Sequence, residues 1–312
     1  MILNTGLRTD IPAFFSEWFY KRIEEGFVYV RSPYAKDLVY SYKLSPELID
    51  CIIFCTKNPR PMFKNLDKIS QFNQYWHITI TPYEKEIEPN VPSIDKTIDN
   101  FKYLSNELGK DNVSLRYDPI FINEKYTLKR HIESFEYMVS SLSDYTNEVI
   151  ISFIDLYEKT KRNFPNANEV KENERLSIGK EFAKIGKKYN ITIKTCAEGN
   201  ELNKFGIDSS GCMTKEVIER AISKSLNIPK QKARNGECDC LLNNDIGAYN
   251  TCNHGCIYCY ANSNKELVQR NLKLHNPKSP LLIGEMKETD NIKEMNQKSF
   301  IINDNTIQTR LI

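Results

Sequence analysis

Apolar runs rich in β-branched residues alternate along this chain with segments of helical period, and turn residues separate them. Strands are predicted over residues 1–5, 27–31, 51–55, 76–81, 113–117, 149–154 and 191–195. The run Cys51-Ile52-Ile53-Phe54-Cys55 is continuously hydrophobic and predicts a strand covered on both faces. Helices are predicted over 12–25 (Pro12 in the first turn, Gly26 as the stop), 62–69, 93–108 (closed by Gly109), 128–142, 174–189 and 215–223. Strands separated by helices imply an α/β fold, a parallel sheet with helices outside. Residues 245–249 can supply an eighth strand, although Gly247 and Ala248 make a poor strand core. Two arrangements stay open. One is a parallel (β/α) TIM-like barrel closed by 245–249; the other is a seven-stranded barrel with a separate cysteine-rich appendage.

At 312 residues the chain fits one large barrel. The expected division is a barrel over 1–265, including a cysteine-rich region 196–260, and a polar tail 266–312 packing on it. The apolar hexamer 279–284 is expected to tuck against the body and 287–312 to be loosely attached, although Phe300-Ile301-Ile302 can pair as an edge strand. A hydrophobic share of 40% fits a packed protein. There is no run of 18 apolar residues and no basic-then-apolar leader, so neither a membrane span nor a secretory signal is expected. With 43 basic and 41 acidic residues, no general attraction to nucleic acid or membrane follows. Nine cysteines in such a chain read as metal ligands or core thiols of a cytoplasmic protein.

In parallel barrels the chemistry collects at the C-terminal ends of the strands. Those ends carry Arg8 and Asp10, Lys57, Thr79 and Thr81, Arg116 and Asp118, Asp155, and Cys196 with Glu198. Arg8, Asp10, Lys57, Arg116, Asp118 and Glu198 are the pocket candidates. Arg116 and Asp118 alternate on one strand and can form an ion pair; Arg8 and Arg116 can equally clamp a carboxylate. His77 and His131, on a strand and a helix, read as structural histidines.

The cysteines sharpen the picture. Cys252, Cys256 and Cys259 stand at C-x3-C-x2-C spacing, with Tyr258 before the third. Soft thiolates select iron–sulfur clusters, zinc or copper(I), and three leave one ligand position open. His254 inside the loop can instead complete a Cys3His zinc site. Cys196, Cys212, Cys238 and Cys240 number four, enough for an auxiliary cluster or a structural zinc. Cys51 and Cys55 bracket an apolar strand and are expected in the core.

The loop resembles the cluster loop of the radical S-adenosylmethionine (SAM) superfamily, written C-x3-C-x-aromatic-C. That resemblance implies a [4Fe–4S] cluster on Cys252, Cys256 and Cys259, SAM bound at the open iron, and a 5′-deoxyadenosyl radical that abstracts hydrogen from a small-molecule, peptide or nucleic-acid substrate. It also implies an electron donor such as flavodoxin or ferredoxin. The loop usually lies near the N-terminus in that superfamily, whereas about 250 residues precede it here. A circularly permuted radical SAM barrel accounts for this. The superfamily's Gly-Gly-Glu run after the second strand has no counterpart. Further landmarks are Arg8-Thr9-Asp10-Ile11-Pro12-Ala13-Phe14, Thr56-Lys57-Asn58-Pro59, Arg116-Tyr117-Asp118-Pro119, Thr195-Cys196-Ala197-Glu198 and the run 245–252. With these the chain resembles the domain of unknown function 1848 family. Two other readings remain: a zinc-binding barrel with structural cysteine sites, and a nucleic-acid processing protein, for which the basic segment 230–234 is the only support.

Overall fold

The computed structural model describes residues 1–229 and 238–302; the basic segment 230–234 lies outside the described residues. In chain order the elements are β1 (Ile2–Asn4), α1 (Ile11–Phe14), α2 (Ser16–Glu25), β2 (Phe27–Arg31), β3 (Leu38–Lys43), β4 (Cys51–Thr56) and β5 (Gln74–Thr79). There follow α3 (Ile94–Leu108), β6 (Val113–Ile120), α4 (Leu128–Leu142), β7 (Glu148–Phe153), α5 (Glu158–Asn163), α6 (Glu172–Lys188) and β8 (Thr192–Thr195). Helices α7 (Lys215–Ile222) and α8 (Lys265–Leu272) and strand β9 (Asn291–Glu294) complete the chain.

The fold is mostly parallel α/β. Six strands form one parallel sheet in the order β1-β4-β5-β6-β7-β8. Its outer face packs Ile52, Phe54, Trp76, Ile78, Leu115, Tyr117, Val149 and Ile151 against the helices. Its inner face carries Ile2, Cys51, Ile53, Tyr75 and Ile150, covered by Val217, Ile218 and Ile222 of α7. Apolar cover on both sides is why β4 reads as an unbroken hydrophobic run. Past the sheet edges the backbone continues irregularly. Asp208 bridges Lys194 of β8 and Asp245 bridges Asn4 of β1, both in parallel. Between them, Asp239 N donates to Ser210 O at 3.3 Å and Leu241 N to Met213 O at 2.9 Å.

Several expectations are revised. Strand 27–31 forms, but outside the parallel sheet: β2 pairs antiparallel with β3, and β9 adds to β3 in parallel, making a second sheet of three strands. The helix expected over 12–25 is split at Phe15, whose φ of −133° is not helical. Of the eighth strand at 245–249, the bridge at Asp245 forms, consistent with the poor strand propensity of Gly247 and Ala248. The segment after 287 is held among the described residues: β9 pairs with β3, which was not expected, and Ile301 bridges Leu226, in line with pairing at 300–302. No helix among the described residues is long and apolar enough to cross a membrane.

Gly6, leaving β1, fits because it lacks a side chain. A Cβ there would lie 2.5 Å from Cys55 Cβ and 2.9 Å from Cys55 Cα, against the backbone of β4. We expect Gly6→Ala to cost about 2–3 kcal/mol by overpacking. Urea unfolding of the variant beside the wild type measures this, and an unchanged midpoint would contradict so tight a contact.

Candidate metal and substrate site

The C-terminal ends of the parallel strands surround a cavity of about 290 Å³. Alternation along β6 decides what faces it. Tyr117 points outward, edge-on to Phe135 and Phe182, so Arg116 and Asp118 on either side of it point inward. The two form an ion pair, Arg116 Nη2 with Asp118 Oδ2. Arg116 also donates from Nη1 to Cys212 Sγ at 3.1 Å. Burial opposes its charge, but Asp118 and the neighbouring cysteines outweigh that and hold the guanidinium well above its ordinary pKa.

Of the sequence-derived candidates, Asp10, Lys57, Arg116, Asp118, Cys196, Cys252, Cys256 and Cys259 line this cavity. Arg8 does not. Its Nε lies 2.8 Å from Asp245 Oδ1, which pins the irregular edge to the loop after β1 and leaves no clamp with Arg116. Glu198 stands behind the wall: its Oε1 accepts from Ser152 Oγ and Phe153 N, each at 2.7 Å. Burial is the main cause that pushes Glu198 up to about 8, with Asp118 and Asp155 adding to it. Cys55, expected in the core, lines the cavity, while Cys51 is fully buried. His131 is satisfied on both nitrogens, by Tyr117 OH and by Phe121 O at 2.8 Å each. His77 meets Ser114 Oγ at 2.7 Å through Nδ1. Burial holds His77 well below its ordinary pKa and His131 down at about 4.

The three-cysteine loop closes over this cavity, fastened by groups far away in sequence. Asp10 is the central latch. Its Oδ1 accepts from Ala13 N at 3.0 Å and caps α1, while Oδ2 accepts from Lys57 N at 2.9 Å and His254 Nε2 at 2.8 Å. A carboxylate only accepts, so Nε2 of His254 donates in this bond. The His254 Nδ1 is buried and has no hydrogen-bond partner among the described residues. We expect Asp10→Ala to cost about 3 kcal/mol, since it strips a buried hydrogen-bonded carboxylate from three donors. The same change should loosen the cysteine loop; hydrogen exchange at His254 and Gly255 measures that, and unchanged protection would remove Asp10 from this role.

Glu88 is a functional side chain the sequence did not reveal, for it sits among Glu84 and Glu86 with no motif. Its Oε1 accepts from Lys57 Nζ at 2.9 Å, from Thr81 Oγ1 at 2.7 Å and from Tyr258 OH, the aromatic of the cysteine motif. Burial works against both charges. Lys57 pulls Glu88 below the usual carboxylate range, and Glu88, Cys256 and Asp118 hold Lys57 above its own. The ion pair therefore stays charged in the cavity wall.

Burial, foremost, raises the pKa of Cys252, Cys256 and Cys259, so without a cation they rest as thiols. A metal would displace those protons. Among the described residues the trio whose ligand atoms meet within 4.8 Å is another one, Cys196, Cys238 and Cys240. Cys212 joins it, with Sγ 3.3 Å from Cys196 and 3.8 Å from Cys240. This cysteine group could bind a metal.

The family described as domain of unknown function (DUF1848) matches residues 2–261, and the chain belongs to that family. No curated protein and no solved structure matches it.

Proposed function

We propose that this member of the DUF1848 family is an iron–sulfur enzyme of the radical SAM type, acting on a substrate held in the cavity over the parallel strand ends. The observation that carries this reading is the placement of Cys252, Cys256 and Cys259. They close a cavity that also presents Lys57, Arg116 and Asp118. A single tetrahedral ion with bonds of about 2.3 Å holds its sulfurs about 3.8 Å apart. The three loop thiols do not gather within 4.8 Å as Cys196, Cys238 and Cys240 do. A cubane, with each thiolate on a different iron, suits the wider trio better. Cys252, Cys256 and Cys259 would hold the cluster, leaving one iron free for the amino and carboxylate groups of SAM. When bound, that pair supplies one-electron cleavage and hydrogen abstraction, with an electron drawn from a donor of the flavodoxin or ferredoxin kind.

The chain's own contribution is position and dryness. Glu88, gripping Lys57 and Tyr258, fixes the aromatic between Cys256 and Cys259. Asp10 fixes His254 between Cys252 and Cys256. Arg116 and Asp118 offer the substrate a cation and an anion side by side. The bridges at Asp208 and Asp245, with the bonds between 208–213 and 238–245, support reading the whole as a closed barrel in permuted order. The cluster-bearing edge then sits beside β1.

A reduced, anaerobically reconstituted sample tests this. The expected result is an electron paramagnetic resonance signal of the reduced cluster that changes on adding SAM. A signal indifferent to SAM would overturn the radical reading. One observation favours a zinc protein instead: His254 is buried, donates Nε2–H to a carboxylate and leaves Nδ1 unpartnered. Metal-ligating histidines are commonly oriented in this way. Zinc without iron or sulfide at Cys252, Cys256 and Cys259 would decide for that alternative.

A further inference from the structure

At the back of the cavity, whose wall includes Cys196, four thiols from three separate segments converge. Cys196 leaves β8, Cys212 precedes α7, and Cys238 and Cys240 lie in the stretch returning toward β1. Cys196 and Cys212 are 3.3 Å apart, Cys212 and Cys240 3.8 Å, and Cys196, Cys238 and Cys240 all lie within 4.8 Å of one another. Sulfurs on a single tetrahedral ion stand about 3.8 Å apart; Cys212 meets Cys196 and Cys240 near that spacing, and a small inward turn of its side chain toward Cys238 completes the set.

The surroundings are built for charged sulfur. The backbone N–H groups of Cys212 and Met213 both donate to Cys240 Sγ, at 3.2 and 3.4 Å. Arg116 donates to Cys212 Sγ at 3.1 Å. Such donors gain little from a neutral thiol and much from a thiolate. The turn that wraps Cys240 depends on Gly211, at φ +113°. A Cβ there would lie 2.7 Å from Cys240 Sγ and 3.3 Å from Cys238 Cβ. The backbone thus folds closely around the Cys240 sulfur, and glycine at 211 is what admits it.

We propose that Cys196, Cys212, Cys238 and Cys240 bind one divalent tetrahedral ion, zinc or ferrous iron, as a closed structural centre and not a second cubane. Four protein thiolates leave it no open position, so it binds no substrate. Its place in the fold gives it a task. The regular sheet ends at β8 and β1, and among the described residues the segments between them, around 208–213 and 238–245, share scattered backbone bonds. The ion fastens those segments to the end of β8, where the regular sheet stops. Through Arg116, which reaches from Cys212 to Asp118, it also steadies the back wall of the cavity.

This inference is independent of what the 252–259 loop holds, and its test is arranged accordingly. The full chain carrying Cys252→Ala, Cys256→Ala and Cys259→Ala is purified anaerobically and assayed for zinc, iron and acid-labile sulfide. The expected result is about one zinc or iron per chain with no sulfide. Adding Cys240→Ser should remove it. Should that variant not fold, exchange of the ion for cobalt in the triple variant must give the intense visible bands of tetrahedral thiolate coordination. Retention of about four irons with sulfide would overturn the proposal in favour of a cubane. A metal-free chain, with the four sulfurs as thiols or disulfides, would overturn it outright.

Discussion

Alanine at Cys252, Cys256 and Cys259 together is expected to strip about four irons per chain from this protein while leaving its fold in place. The reason lies in how the loop is held. Asn90 takes hold of it twice, N donating to His254 O at 3.0 Å and Nδ2 to Asn253 O at 2.7 Å. Ile257 N donates to Ile87 O at 3.1 Å, Tyr258 OH to Glu88, and His254 to Asp10 at 2.8 Å. Asn262 Nδ2 donates to Cys252 O at 2.8 Å, and Tyr260 OH to Leu7 O at 2.5 Å. Not one of these bonds needs a cysteine side chain. Three truncations of single sulfur atoms should together cost no more than roughly 3 kcal/mol. Iron analysis and thermal unfolding of the same sample settle both halves. Iron unchanged would dismiss the three cysteines as ligands. Collapse of the fold would mean that metal, not hydrogen bonding, organises the loop.

The second large effect is a pH dependence with a definite sign. Glu198, raised to about 8 chiefly by burial, stays protonated in the folded chain where the unfolded chain has lost the proton. Between the ordinary glutamate pKa and about 8 the native state therefore holds one more proton than the unfolded state. Stability must fall as pH rises through that window, by about 1.4 kcal/mol per pH unit at most, and level off above it. Glu198→Gln keeps the acceptor for Ser152 and Phe153 but has no proton to lose. Urea titrations of both proteins from pH 5 to 9 should show the wild-type stability falling relative to the variant by several kcal/mol. Parallel profiles would show that Glu198 is ionised in the folded chain. Because Ser152 and Phe153 line the cavity, ionisation of Glu198 would also be felt at its wall.

Much of this architecture was legible in the chain itself. The unbroken run at Cys51–Cys55, the helical period over 128–142 and the strand expected over 191–195 each specify their element locally; the helix spans Leu128–Leu142 and the strand Thr192–Thr195. The spacing of Cys252, Cys256 and Cys259 is likewise a local property, and the proposal of metal ligation there rests on it. Arg116 and Asp118 could be paired from strand alternation alone.

Other features are decided by contacts between distant residues, which no local pattern encodes. Strand β2 has an ordinary strand sequence, yet it pairs with β3 outside the parallel sheet, and Asn291–Glu294 returns from far along the chain to extend that second sheet on β3. Arg8 looked like a pocket residue and was captured by Asp245 from across the chain. Glu88 carries no signature, and it matters only because Lys57, Thr81 and Tyr258 all converge on one of its oxygens. The same holds for the four thiols. Sequence supplied their number, but whether they stand near 4 Å apart or scattered is a matter of three segments meeting in space. Short-range chemistry fixes which elements form and which ligands exist. Long-range packing decides which of them face one another, since a burial or hydrogen-bonding partner more than a hundred residues away leaves no mark on its neighbour's local sequence.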